Sequence, residues 1–368
     1  MNVAIMCNTK SSEYPNRPEL IDDFLKKGDV VFFAAIDDGT INNYYNGDKA
    51  EFLPILASRN NINPFIEIMS LFDIRRKVKE NNLEAVVIYG VKNHPAMAIG
   101  SWLGGAKKII CVVNGRGNLF VFRGVKGLIL RLISFPMLKI AYMCSNYICF
   151  QNEDDGSFFV KNHLVNSKKV QYTDGSGVNT KLFPAYKIPN ENEFLYLARI
   201  TPSKGLKEYI EAARIVKQKY PKSNFHVVGP IDSLIEGSLS NIINHAVLEG
   251  IIKYHGKTND VRGWLRKTRY FVYPSYYPEG VPRCVLQALS CGRPIITCDS
   301  PGCRSTVIEG VNGFLVKPRD INELVEKMIT LIENNEIIEE MGVQSRKLAE
   351  LKFEISIINK KIISLVHS

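Results

Sequence analysis

The stretch FLYLARITPSKGLKEYIEAARIVKQKYPKSNFHVVGP, residues 194–230, reads as a strand, a helix and a second strand. FLYLAR is a short apolar run ended by a cation, and Thr201-Pro202 then offers an N-cap followed by proline at the first helical position. Leu206, Tyr209, Ile210, Ala213 and Val216 form the stripe that a helix reaching about Tyr220 would bury. Asn224 to Val228 is apolar again and is closed by Gly229-Pro230. Strands joined by a covering helix belong to a parallel sheet.

The alternation continues outward. Towards the C-terminus we expect a helix near 238–248, strands at 251–255, 270–275, 294–299 and 313–316, a short helix near 260–267, another beginning near Pro282, and an amphipathic helix in NELVEKMITLIENN. Towards the N-terminus strands are expected at 2–6, 30–36, 85–89, 109–113, 146–150 and 169–172. The chain is thus α/β with two doubly wound units, residues 1–187 and 188–352, divided in the polar stretch KIPNENE (187–193), with a last segment 353–368. A length of 368 residues suits two domains, and 45% apolar with 23% charged residues excludes a disordered, collagenous or small disulfide-bonded chain. The eight cysteines never form C-x-x-C and mostly sit in apolar runs, as buried free thiols do in a reducing cytosol. No His, Asp or Glu cluster has metal-site spacing, and MNVAIMCNTKSSEY reads as a first strand entering a loop rather than a signal peptide.

The formal charge is +10, and one region is distinctive. Between Glu84 and Glu153 there is no acid, but there are Lys92, Lys107, Lys108, Arg116, Arg123, Lys126, Arg131 and Lys139. Within it GLILRLISFPMLKIAYM (127–143) is apolar but interrupted by Arg131, Pro136 and Lys139, short of the roughly 18 unbroken apolar residues of a membrane span. Two readings stand: a helix lying on an anionic bilayer, with Arg123, Lys126, Arg131 and Lys139 at the head groups, or a core helix with solvated ends. Nucleic acid, the third candidate for a basic stripe, ranks last and is not expected as a partner, for want of an aromatic RNP-like strand, zinc finger or helix-turn-helix.

Two constellations carry chemistry. Arg199-x4-Lys204 puts one cation at a strand end and another in the first turn of the next helix, where two positive charges suit a diphosphate. Surface cations would show the same spacing. In PSYYPEGVPRCVLQALSCGRPIIT (274–297) a strand ends, Glu279 lies in a tight loop, Val281-Pro282 starts a helix and Gln287 lies two turns along. A carboxylate there can hold sugar hydroxyls, or serve only as an acid at a helix N-terminus. The glycines of VNGRGN and DGSGVN, at strand ends, allow a backbone to approach a phosphate.

Arg199 through Lys204, YHGKTNDV (254–261) and PEGVPRCVLQALSCGRPIITCDSPGCRSTVIEGVNGFLV resemble the C-terminal domain of family 4 retaining glycosyltransferases of the GT-B fold. VNGRGNLF, ICFQNEDDGSFF and DGSGVNTKLF extend the likeness into the N-terminal half, towards bacterial transferases that extend polyprenyl-diphosphate-linked sugars in capsule or O-antigen assembly.

The resemblance implies two Rossmann-like domains facing a cleft, the first for the acceptor and the second for the nucleotide-sugar, with the last helix, about Ile355 to Leu365, returning to the first. It implies a UDP-sugar donor, a polyprenyl-diphosphate glycan acceptor, no cofactor and no metal, on the inner face of a bacterial membrane. Arg199 and Lys204 match the pair holding the donor diphosphate, and Glu279 the first Glu of the E-x7-E motif that contacts the donor sugar. Gln287 stands where the second Glu should be; an amide keeps one acceptor but loses the charge, so donor binding is expected to be weakened or retuned rather than lost. Backbone groups of Gly280, Val281 and Pro282 match the turn facing sugar and phosphates, and Thr258 and Val261 the segment at the nucleobase. His94 corresponds approximately to a catalytic His of many relatives, with Lys92, Asn114 and Arg116 as further acceptor-side candidates. A nucleotide-sugar epimerase is the rival enzyme, disfavoured by E-G-V-P, and a non-catalytic partner of an assembly complex is the rival suggested by Gln287.

Overall fold

The computed structural model describes all residues except 14–16, 41–49, 58–63, 118–123 and 233–235. Met1–Gly175 with Ser356–Ser368 forms one compact unit, and Ser176–Ile355 the other.

In the first unit the described elements are β1 (Asn2–Lys10), α1 (Pro18–Lys26), β2 (Val30–Ile36), β3 (Glu51–Ile55), α2 (Pro64–Glu80), β4 (Ala85–Tyr89), α3 (His94–Gly104), β5 (Lys108–Val113), α4 (Gly124–Cys144), β6 (Tyr147–Phe150), α5 (Glu153–Lys161) and β7 (Val170–Tyr172). The strands form one sheet in the order β3-β2-β1-β4-β5-β6-β7, and every pairing is parallel. A parallel sheet is covered on both faces, so its strands are apolar throughout rather than alternating; all five residues of β4 are buried. Ile74, Val78, Met97, Leu138, Tyr142 and Phe159 build the core on one face. Leu20, Ile21 and Phe24 of α1 build it on the other. Strand β3 was not expected from the sequence. Its EFLPI contains Pro54, which cannot donate to a ladder and is tolerated because β3 is at the sheet edge.

The second unit runs β8 (Glu193–Leu197), a 3-10 turn at Pro202–Lys204, α6 (Leu206–Lys219), β9 (Asn224–Val228), α7 (Glu236–Leu248), β10 (Lys253–Tyr254), α8 (Val261–Lys267), β11 (Tyr270–Tyr273), α9 (Arg283–Ser290), β12 (Ile295–Cys298), β13 (Gly313–Val316), α10 (Ile321–Glu333) and α11 (Glu336–Lys352). Its sheet is parallel in the order β10-β9-β8-β11-β12-β13. The order reverses between β8 and β11, the kind of switch point outside whose strand ends ligands bind.

Two expectations are corrected. Thr201-Pro202 opens the 3-10 turn, without a side-chain cap, and the α-helix starts only at Leu206. Gly205 separates the two at φ 77°, where a Cβ would lie 2.1 Å from the Pro274 carbonyl oxygen. Gly205→Ala is therefore expected to cost at least about 1 kcal/mol and to displace Lys204, seen as a lower melting temperature and weaker UDP binding.

The division between units falls at Gly175/Ser176, not at Lys187. The strap 176–187 belongs to the second unit because its carbonyls are spoken for there. Arg346 Nη1 donates to the carbonyls of Thr180 and Phe183 at 3.2 and 2.9 Å, and Ser290 Oγ donates to Phe183 at 2.6 Å. The last helix, α12 (Ile355–Val366), is added to the first unit from Ser356 onward. Ile362 and Val366 enter the core beside α1, and Asn359 donates to Asp23 at 2.8 Å.

Candidate active site

Strands β8, β9 and β11 end at Leu197, Val228 and Tyr273, and the chain beyond each end walls a cavity of about 370 Å³ within the second unit. Arg199, Lys204, Thr258, Val261, Glu279, Pro282 and Gln287, far apart in sequence, all line it. Asp260 caps α8, its Oδ1 accepting from the Gly263 N–H at 2.8 Å, which fixes the turn carrying Thr258 and Val261.

At the heart of the cavity Lys204 Nζ lies 2.6 Å from Glu279 Oε2 and 2.7 Å from the Tyr273 hydroxyl. Tyr273 passes its own hydrogen to Glu279 Oε1 at 2.7 Å, and Ser275 Oγ donates to the same oxygen at 3.2 Å. Lys204 has three N–H donors, so two are committed and one is left to meet a ligand. The ammonium also lies near the rings of Tyr273 and Tyr277, 5.4 and 5.1 Å from their centroids. Burial, reinforced by Glu279, holds the Tyr273 phenol well above its ordinary pKa, so it remains a hydrogen-bond donor across the working pH range.

The two cations are unequal. The Lys204 side chain is 15% exposed and held on several sides, whereas that of Arg199 is 69% exposed, its nearest acid Asp232 at 3.9 Å. One charge is preorganised; the other can swing.

Of the turn residues only Pro282 lines the cavity. Gly280 is buried and Val281 packs into the core with Val285 and Leu289. Tyr273 was missed in the sequence, as were Lys257, Arg283 and Cys284, which also line the cavity. Tyr273 counted as one more apolar strand residue. Its place as the last residue before a strand end is the signal that could have found it.

In the first unit the acceptor-side candidates separate into two kinds. His94 begins α3 and is fully buried, edge-on to Tyr142 with Nδ1 3.1 Å from its hydroxyl. Burial drives its pKa down to about 3, so at neutral pH it is an uncharged residue of the core. Arg116 is likewise structural: Nε donates to the buried carboxylate of Asp155 at 2.6 Å, Nη2 to the Asp154 carbonyl at 3.0 Å, and the guanidinium lies over Phe158. It pins the N-terminus of α5, and burial nevertheless keeps the Asp155 pKa above its ordinary value. Lys92, half-buried after β4, and Asn114, exposed after β5, sit at the carboxyl ends of neighbouring strands. Asn114 Oδ1 accepts from Gln151 at 3.0 Å.

Residues 178–348, nearly the whole second unit, match the family described as glycosyl transferases group 1. The chain is 24% identical, over 99% of its length and 98% of the relative's, to the N,N'-diacetylbacillosaminyl-diphospho-undecaprenol alpha-1,3-N-acetylgalactosaminyltransferase of Campylobacter jejuni. It is also 24% identical to the Escherichia coli UDP-Gal:alpha-D-GlcNAc-diphosphoundecaprenol alpha-1,3-galactosyltransferase, over 81% of this chain and 79% of that one. Among solved structures, Anabaena HepE in complex with UDP and glucose superposes with a TM-score of 0.80 at 16% identity, covering 100% of this chain and 99% of that one. Residues 178–348 thus form a glycosyl transferases group 1 domain, and the chain, with two parallel α/β units and a cavity at the strand ends of the second, has the GT-B fold.

Proposed function

We propose that this enzyme transfers a sugar with retention from a UDP-sugar to a polyprenyl-diphosphate-linked glycan at the inner face of the bacterial membrane, as a step in surface polysaccharide or glycan assembly. The observation that carries this reading is the cavity in which Arg199, Lys204, Glu279 and Gln287 converge beyond the ends of β8 and β11. Its size suits a sugar with its diphosphate, and its charges suit their chemistry.

In the reaction the bond between the anomeric carbon and the diphosphate oxygen breaks while an acceptor hydroxyl enters on the same face. The acceptor's proton passes to the departing diphosphate, so no carboxylate nucleophile or metal is required. Lys204 and Arg199 stabilise the charge that develops on the leaving group. Glu279 orients the sugar hydroxyls, Thr258 and Val261 border the base, and Gln287 takes the ribose hydroxyls through its single carbonyl acceptor. Lys92 and Asn114 are the acceptor-side groups.

Incubation with a panel of UDP- and GDP-sugars and polyprenyl-diphosphate glycans, with mass spectrometry of the lipid product, tests the whole reading. Transfer from one UDP-sugar with the anomeric configuration preserved is the expected result. Transfer from GDP-sugars alone, or inversion, would overturn it; UDP binding without any transfer would instead favour a non-catalytic partner, the reading that Gln287 in a carboxylate's place supports. Because charge-assisted hydrogen bonds are about twice as strong as neutral ones, Gln287→Glu is expected to lower the donor KM about tenfold.

A further inference from the structure

We infer that the face of the first unit built by α2, α3 and α4 is a membrane-insertion surface, and that the enzyme seats it among the lipids of an anionic bilayer. This deepens the function proposed above by naming where the protein meets the membrane carrying its acceptor. Three successive connections, β3 to β4, β4 to β5 and β5 to β6, step the same way across the sheet, so their right-handed crossovers place the helices on one face. Helix α3 is the middle one, packed against α2 and α4. Gly100 and Gly104 draw α2 close to it: a Cβ on either would lie 2.6 Å from α2, from the Leu71 carbonyl oxygen and Val78 Cβ respectively.

The inner sides of these helices supply core residues, and the outer sides are apolar as well. On α4, Val125, Leu128, Leu132, Ile133, Ile140 and Met143 are 50–74% exposed, and on α2 Phe65, Ile68, Met69 and Phe72 are 54–78% exposed. With Trp102 and Leu103 at the end of α3, these helices hold more than half of the exposed large apolar side chains among the described residues. Patches of this extent on one face mark an interaction site.

The charge beside the patch selects the partner. From Ala85 to Asn152 there are cations and no acid, and on α4 both Arg131 and Lys139 lie among the exposed apolar residues. On the first turns of α2 the acid is Glu67, whose pKa burial raises, favouring its neutral form. Two copies meeting through this face would oppose like charges; anionic head groups around a hydrocarbon layer satisfy both features. Arg123 lies outside the described residues and Lys126 is described only in its backbone, so Arg131 and Lys139 carry the charge argument.

Residues Gly127–Cys144 are long and apolar enough to cross a bilayer, but the helix joins two neighbouring strands of one sheet and buries Leu138, Ala141 and Tyr142 against it. It lies along the membrane surface. Of the two sequence readings of this segment, a core helix with solvated ends does not account for the apolar residues exposed along its whole length, from Val125 to Met143. The starts of α2 and α4 follow the carboxyl ends of β3 and β5, the sheet edge at which ligands are met, so a lipid-borne acceptor reaches that edge without leaving the bilayer.

The test is flotation of the full chain with phosphatidylcholine vesicles, with and without phosphatidylglycerol, and with no glycolipid or sugar nucleotide present. Wild type is expected to float with the anionic vesicles, more weakly but still measurably in high salt, because salt screens the cations and not the apolar contact. In a Trp264→Phe background the emission of Trp102 is expected to shift to the blue on binding. Leu132→Glu/Ile133→Glu and Ile68→Glu/Phe72→Glu are each expected to weaken flotation about tenfold or more at an unchanged melting temperature, while Leu248→Glu, at an 88% exposed site on α7, has no effect. The inference is overturned by failure of wild type to bind, by complete release in salt, or by double variants that float like wild type. Conversion of a dimer to a monomer by either pair overturns it in favour of a second copy. Transfer measured in detergent tests the proposed reaction separately, so either can fail alone.

Discussion

Replacing Lys204 by alanine is expected to lower sugar transfer about 10²- to 10³-fold, the usual loss when one preorganised donor to a developing negative charge is removed. Its ammonium is fixed by Glu279 and the Tyr273 hydroxyl at 2.6 and 2.7 Å, so no reorganisation is needed when the leaving diphosphate gains charge. Arg199→Ala is expected to cost less, about tenfold, since an exposed guanidinium spends part of its attraction on losing conformational freedom and is screened by water. The Lys204 variant should fold normally: Glu279 keeps its hydrogen bonds from Tyr273 and Ser275 and opens on the cavity. Steady-state kinetics with the native donor, alongside thermal unfolding, separates the two effects. Transfer within tenfold of wild type would remove Lys204 from the mechanism.

The largest loss of stability is expected at Arg293, which is fully buried between β12 and the strap. Its Nε donates to the Cys291 carbonyl at 3.1 Å, Nη1 to Thr268 at 2.8 Å, and Nη2 to Lys187 at 3.3 Å and also to Tyr186. Burial lowers its pKa to about 10, which still leaves it charged at neutral pH. Arg293→Ala strips these carbonyls of their donor where water cannot replace it. Each orphaned group costs about 1–3 kcal/mol, so the four carbonyls together are expected to cost at least about 4 kcal/mol, a large part of a typical domain's stability. Arg293→Lys should recover little, since a point ammonium cannot reach carbonyls spread around a planar fork. Urea unfolding of the second unit measures this; a change under about 1 kcal/mol would show that the carbonyls find other donors.

Much of the second unit is legible in the sequence because its signals are local. FLYLAR, the stripe from Leu206 to Val216 and the NELVEKMITLIENN helix each carry their own period. What was misread depends on distant partners. Gly205 breaks the helix because the Pro274 carbonyl approaches it, and Arg116 is tied down by Asp155, contacts that no window around either residue contains. His94 looks like a strand-end histidine, but the helix it begins is apolar on all sides and takes the imidazole into the core. On α2 the residues Phe65, Ile68, Met69 and Phe72 have the spacing of a core stripe. Ile74 and Val78, on the opposite side, face the sheet, and only the packing shows which side is covered.

The position of α12 sets an order of events during synthesis. Domains emerging from a ribosome generally fold from the N-terminus onward, yet part of the first unit's core, Ile362 and Val366, is made only after the whole second unit has been translated. Until then the surface of α1 that receives them is uncovered, and Asp23 and Asp29 lack the partners that Asn359 and His367 supply. The nascent first unit therefore waits, incompletely sealed, for α12, and loss of that helix would be felt as instability far back in the sequence.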